Sequence, residues 1–113
     1  MKVNCLRPTP EYRMQFAWSH YKKVPENSGC YALVTYGGEV LYVGLATTSI
    51  RDRMKDHLDT PKKTKAGPVG APFWIYYTLC SSVEVNPIER GWMNQAILED
   101  GAMPLLNGIY SPL

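Results

Sequence analysis

Residues 29–44, GCYALVTYGGEVLYVG, predict a β-hairpin. Its flanks at 33–36 and 40–43 are rich in β-branched, aromatic and aliphatic side chains, which favour strands. Gly37 and Gly38 lie between these flanks and are typical of a two-residue hairpin turn. We therefore expect the two strands to lie side by side in an antiparallel sheet.

A two-residue turn also fixes how the strands pair. Tyr31 is then expected opposite Gly44. Leu33 is expected opposite Tyr42. Because side chains alternate along a strand, Tyr31 and Tyr42 share one face as diagonal neighbours, about 7–8 Å apart and within reach of one ligand. Tyrosine also favours buried positions in strands, so the hairpin alone leaves a purely structural interpretation open.

Length and composition indicate one small globular domain. The chain has 113 residues and a hydrophobic fraction of 45%. It has no run of about eighteen apolar residues, and residues 1–5 lack the apolar core of a signal peptide, so we expect a cytoplasmic protein with no membrane association. Three cysteines without a Cys-x-x-Cys pair, and only two histidines, favour neither a disulfide framework nor a zinc site.

The positive charge is concentrated in one region. The formal net charge is only +2, yet six of the twelve basic residues lie between positions 51 and 65, against three aspartates. Such a patch is typical of a protein that binds a phosphate backbone, although a solvated helix and loop give the same pattern. Besides Arg53, its DNA-binding candidates are Arg51, Lys55, Lys62, Lys63 and Lys65.

A helix is predicted over residues 50–58, with Ser49 as its N-cap. Four-residue spacing sorts the side chains of this helix into stripes, of which the apolar one faces the core. Arg53 and His57 form a stripe along one border of the apolar face, so the two side chains can contact one substrate together. A surface arginine and a surface histidine are the alternative interpretation.

The other elements complete a small α/β (α+β) domain. Residues 11–23 predict an amphipathic helix within an N-terminal extension, 1–28, because their apolar residues recur at helical spacing. The segment 59–72 is dense in Pro, Gly and Lys and predicts a loop. The aromatic run 73–80 predicts a third strand. We therefore expect a three-stranded antiparallel sheet flanked by helices.

Asn86 and Pro87 predict the start of a last helix, over 86–99, which Gly101 ends. Glu89 lies on the apolar face of this helix, where a carboxylate needs a positively charged partner or a metal ion. A glutamate that caps its own helix end fits the pattern equally well.

The motifs, taken in order, resemble the GIY-YIG nuclease family. The similarity covers residues 29–107 and indicates a GIY-YIG-like domain at 29–113, with cysteine and valine in place of the usual isoleucines. The matching elements are Gly29-Cys30-Tyr31, Tyr42-Val43-Gly44, Arg53 with His57 on one helix, Glu89, and the closing segment Pro104-Leu105-Leu106-Asn107.

This resemblance implies a stand-alone, metal-dependent DNA endonuclease that hydrolyses phosphodiester bonds. It implies Tyr31 as the general base, with a pKa lowered by Arg53 and the metal, and Glu89 as the protein ligand of Mg²⁺ or Mn²⁺. The implied catalytic residues are Tyr31, Tyr42, Arg53, His57 and Glu89, and the implied supporting residues are Gly29, Gly44 and Asn107.

A catalytically inactive module of the same fold, which binds DNA or another protein, is the main alternative. Such a module needs Arg53 and the basic loop, but neither Tyr31 nor Glu89. A small structural protein is a further alternative, and it would show no salt-dependent retention on DNA. One small domain contacts few base pairs, so its sequence specificity is expected to be poor unless it forms a homodimer or recruits a specificity-providing protein partner.

Overall fold

The computed structural model describes residues 1–107, apart from the side chain of Lys62, and within that range the chain forms a small α+β domain. One four-stranded antiparallel sheet has the order β1-β4-β2-β3. No helix in this range is long and apolar enough to cross a membrane. The bounds are β1 Tyr12–Gln15, β2 Gly29–Val34, β3 Val40–Ala46, α1 Ile50–Leu58, β4 Trp74–Leu79 and α2 Val85–Asp100.

The predicted helix over 11–23 is wrong, and a fourth strand takes its place. Strand β1 pairs with β4, so that Tyr12 lies opposite Tyr77 and their rings stack 5.3 Å apart. Met14 and the following Phe16 pack into the core on one face of the sheet. The apolar residues in this segment therefore follow a two-residue period, and pairing with β4 overrides the helical pattern. The predicted three-stranded sheet thereby gains an edge strand from the N-terminal segment.

The hairpin has the predicted pairing but a different turn. Leu33 lies opposite Tyr42, as predicted. The register then shifts by one residue, so that Val34 faces Val40. Thr35 accepts a hydrogen bond from the Gly38 N–H at 3.0 Å, and Gly38 has a φ of 98°. The turn therefore has three residues rather than two, and the register shift restores the predicted pairing beyond it.

The sheet separates two cores. Helix α2 covers one face, where it packs against the side chains of Cys30 and Ala32. Helix α1 covers the other face, where Ile50 and Met54 pack with Tyr31. Consecutive residues of β2 thus enter opposite cores, which is why all six residues of that strand are buried.

Helix α1 has the predicted bounds, and the Ser49 side chain accepts a hydrogen bond from the Asp52 N–H at 3.2 Å. Helix α2 begins earlier than predicted. Its N-cap position is Glu84, not Asn86. Gly101 ends α2 as predicted, in the left-handed conformation with a φ of 77°.

Candidate active site

Three aromatic rings meet between the hairpin and helix α1. The Tyr31 and Tyr42 centroids are 6.1 Å apart, with the rings stacked at 29°. The His57 ring centroid lies 5.4 Å from that of Tyr31 and 4.8 Å from that of Tyr42. The structure therefore brings together three of the five predicted catalytic residues in direct contact.

Gly44 makes room for this cluster. A Cβ atom at Gly44 would lie 2.6 Å from both Cζ and Oη of Tyr31, and 2.8 Å from Cε2 of Tyr42. These separations are shorter than carbon atoms tolerate. The cross-strand pairing of Gly44 with Tyr31 therefore lets the Tyr31 ring lie across the β3 backbone.

The hydroxyl of Tyr31 is 2.6 Å from Nε2 of His57, and both side chains are buried, with relative exposures of 0% and 2%. Burial, together with the positive charges of Lys63 and Arg53, lowers the pKa of His57 to about 3. The imidazole is therefore neutral at neutral pH. In the tautomer that carries its proton on Nδ1, Nε2 accepts a hydrogen bond from the Tyr31 hydroxyl.

Among the protein's own groups, burial has the largest effect on the pKa of Tyr31. Burial raises the pKa of the phenol above its ordinary value, and the neighbouring Tyr42 raises it further. The Arg53 guanidinium lowers the pKa, but its effect is smaller than that of burial. Tyr31 is therefore a neutral phenol in this arrangement.

Arg53 lies at the border of the apolar face of α1, as predicted, and beside the Tyr31 phenol. Its side chain is 43% exposed, and its Nη1 lies 3.7 Å from a carboxylate oxygen of Asp56. The Nε–H is buried and has no hydrogen-bond partner among the residues that the structure describes. A buried guanidinium donor without a partner is suited to receive an anionic oxygen.

Arg51 serves the fold rather than this cluster. Its Nε donates to the carbonyl of Val24 at 2.7 Å, and its Nη2 donates to that of Lys22 at 2.9 Å. Nη1 lies 3.6 Å from a carboxylate oxygen of Glu26. These contacts hold the segment before β2 against helix α1.

The predicted DNA-binding lysines have different environments. Lys55 is exposed and lies 5.7 Å from the centroid of the Tyr21 ring, and Lys65 is exposed. The side chain of Lys62 lies outside the described part of the chain. Among the lysines whose side chains are described, Lys63 reaches the aromatic cluster, with Nζ 4.3 Å from the Tyr42 centroid. No local sequence pattern indicates this contact, because it depends on how the loop after α1 folds back.

Glu89 is on helix α2 and does not join the cluster. It is half-buried, and burial raises the pKa of its carboxyl, while the charge of Arg90 lowers it less strongly. Its charge acts on Cys30, whose side chain faces the α2 core rather than the α1 core. No hydrogen bond or ion pair joins Glu89 to the described part of the cluster.

Gly29 and Asn107 hold β2 and β3 in place. A Cβ atom at Gly29 would clash with the carbonyl oxygen of Thr78 and would lie 2.7 Å from Cδ1 of Ile50, so the missing side chain lets β2 lie close to both β4 and α1. The Asn107 carboxamide accepts from the Val43 N–H and donates to the Val43 carbonyl, both at 2.9 Å. It therefore pairs with the edge strand at the residue between Tyr42 and Gly44.

Glu89 is the carboxylate that would hold a hydrated divalent cation. In residues 1–107, no three or more His, Cys, Asp or Glu side chains are grouped so as to hold a metal ion. Glu89 is nevertheless half-buried, and its pKa is raised because the effect of burial exceeds that of the Arg90 charge. A single carboxylate suits Mg²⁺, which keeps several of its water ligands.

No model of a known protein family matches the chain, and a search of curated proteins found no match. The likeness to GIY-YIG nucleases thus stays an interpretation of the ordered motifs. The geometry itself defines a small α+β domain with a buried tyrosine–histidine pair beside two cationic side chains.

Proposed function

We propose that the protein is a metal-dependent DNA endonuclease that hydrolyses phosphodiester bonds. One observation carries this proposal: the 2.6 Å hydrogen bond between the Tyr31 hydroxyl and Nε2 of His57, beside the Arg53 guanidinium. A phenol that donates to a neutral imidazole has a route for its proton. A guanidinium at the same oxygen can neutralise phosphate charge.

In the proposed reaction Tyr31 takes a proton from the attacking water as its own hydroxyl proton passes to His57. Arg53 binds the phosphate through its partly exposed guanidinium and stabilises the charge that develops there. Tyr42 borders the same space and orients the water. A hydrated Mg²⁺ or Mn²⁺ held by Glu89 would polarise the phosphate and stabilise the leaving oxygen.

DNA binding is proposed to depend on the exposed basic side chains near this cluster. Lys55 and Lys65 are exposed, whereas the donors of Arg51 are already bound to carbonyl groups. Binding through so few cations should be weak and salt-dependent. Sequence-specific cutting would then need a homodimer or a protein partner that supplies specificity.

A non-catalytic module that binds DNA or a protein is the second candidate, and the burial of Tyr31 favours it. The side chain has 0% relative exposure, and the pKa of its phenol is raised. A general base must reach a water molecule, so a nuclease must admit solvent to Tyr31 when DNA binds.

The decisive experiment is cleavage of supercoiled plasmid, branched DNA and single-stranded DNA with Mg²⁺, with Mn²⁺ and with a chelator. We expect metal-dependent cutting that falls by about 100-fold or more in Tyr31→Phe and is lost in Glu89→Ala. Tyr77→Phe, at a buried tyrosine outside the cluster, and Glu99→Gln, at an exposed site on α2, are the matched controls.

The possible results separate the candidates. Cutting that survives both substitutions at Tyr31 and Glu89 indicates a contaminant and refutes the mechanism. DNA retention without cutting on any substrate supports the binding module. Neither retention nor cutting leaves the structural protein.

A further inference from the structure

We propose that Lys63 and Arg53 form a phosphate-binding subsite above the Tyr42 ring, in which Lys63 is a second cation that contacts the scissile phosphate. The inference rests on the proposed function for the identity of the phosphate as a nucleic-acid diester. Lys63 would then belong to the candidate active site rather than to the exposed DNA-binding surface.

Lys63 is held in position by the backbone of its own segment. Residues Pro61–Lys63 form a single turn of 3-10 helix directly after α1. The Thr60 N–H donates to the His57 carbonyl at 3.1 Å, and the Lys63 N–H donates to the Thr60 carbonyl at 2.9 Å. The Thr60 hydroxyl also donates to the Asp56 carbonyl at 2.7 Å. The turn is therefore a continuation of α1, and Lys63 is anchored to the helix that carries Arg53.

The Lys63 ammonium lies over the cluster rather than in solvent. Its Nζ is 4.3 Å from the Tyr42 centroid, which is cation–π distance. The side chain is half-buried, and burial together with the charge of Arg53 lowers the pKa of the ammonium. Lysines that serve only a solvated surface, such as Lys65, are exposed. Lys63 therefore has reduced hydration without a carboxylate partner among the described residues.

Two like charges held together indicate an anion between them. Arg53 and Lys63 each disfavour protonation of His57, so both cations act on the same small region. The one ion pair that involves either of them in residues 1–107 is the exposed contact of Arg53 with Asp56. A phosphate group between the two cations would relieve their repulsion.

The test is an NMR titration of the metal-free protein with inorganic phosphate and with bis(p-nitrophenyl) phosphate as a diester probe. Lys63→Gln and Lys22→Gln are the matched pair, because each removes one positive charge and Lys22 is an exposed lysine outside the cluster and the basic loop. We expect Lys63→Gln to weaken binding of both probes by about tenfold, as for a lost charge-assisted hydrogen bond. We expect Lys22→Gln to bind within about twofold of wild type, as for an exposed charge.

Shift changes on titration should centre on Tyr42 and His57. Lys63→Arg should retain most of the affinity because it keeps the charge, and unchanged spectral dispersion verifies the fold of every variant. The subsite is refuted if Lys63→Gln binds as tightly as Lys22→Gln, or if the shifts centre elsewhere.

The nuclease proposal can fail separately. Because the titration uses neither metal nor cleavage, phosphate binding through Lys63 in a protein that cuts no DNA would retain the subsite and reject the nuclease. DNA cutting, with no effect of Lys63→Gln on phosphate binding, would retain the nuclease and reject the subsite.

Discussion

Gly44→Ala tests the close approach on which the aromatic cluster depends. The new Cβ atom would meet Cζ and Oη of Tyr31 at 2.6 Å and Cε2 of Tyr42 at 2.8 Å. Tyr31 is fully buried, so its ring has no free space into which to move. Overpacking of this kind costs about 1–3 kcal/mol of unfolding free energy. For a domain of this size that is a fall in Tm of about 4–12 °C.

Thermal and urea unfolding measure this effect, and a glycine inside helix α2, Gly91, supplies a control. A Cβ atom at Gly91, inside α2, would have nothing within 4 Å. Gly91→Ala should therefore stabilise the protein by about 0.5–1 kcal/mol, because alanine loses less backbone entropy in a helix. The two glycine-to-alanine changes are expected to have opposite signs.

A double-mutant cycle assigns the penalty to Tyr31. In a Tyr31→Leu background the clashing Cζ and Oη atoms are gone, so Gly44→Ala should lose at least half of its cost. An unchanged cost, additive within about 0.5 kcal/mol, would show that Tyr31 does not cross the backbone of Gly44. A neutral effect of Gly44→Ala in the wild-type background would refute the geometry more directly.

Two further predictions concern stability. Asn107→Ala removes both hydrogen bonds to Val43 and should lower the unfolding free energy by about 1–3 kcal/mol, as measured by urea denaturation. As a control, Asn94→Ala at an exposed site of α2 should change the unfolding free energy by less than about 0.5 kcal/mol. The pKa of His57 is about 3 in the folded protein, below its ordinary value, so the unfolded chain binds a proton first as the pH falls. The unfolding free energy should therefore fall as the pH drops from about 6.5 toward 3, by about 2 kcal/mol at pH 5. His57→Gln should remove most of this acid dependence and His20→Gln should retain it; equal curves for the two variants would contradict the buried, neutral imidazole.

Local signals predicted the elements whose determinants are close in sequence. Ser49 and the four-residue spacing after it specify α1, because a helix start depends on a few neighbouring groups. The pairing of Tyr31 with Gly44 was predicted although the turn was not. The bulge between Leu33 and Val34 offsets the extra turn residue, and no residue in the sequence marks it.

Features that depend on distant partners were not predicted. Strand β1 forms because β4 offers it an edge about sixty residues later in the chain, which no local pattern of apolar residues reveals. Local sequence patterns also do not reveal the burial of Tyr31, which decides its charge state. The resemblance implied that Arg53 lowers the pKa of the phenol, and Arg53 does so, but enclosure in the α1 core raises the pKa more.

The electrostatics of the cluster also link phosphate binding to proton transfer in the proposed enzyme. Burial holds the pKa of His57 low, and the charges of Lys63 and Arg53 add to that effect. A phosphate bound between the two cations would offset their charges, so it would raise the basicity of His57 when a substrate is present. The imidazole would then accept the Tyr31 proton more readily than in the free protein. The two cations therefore lower the basicity of His57 in the absence of DNA, and the proposed site would become able to transfer the Tyr31 proton only when phosphate is bound.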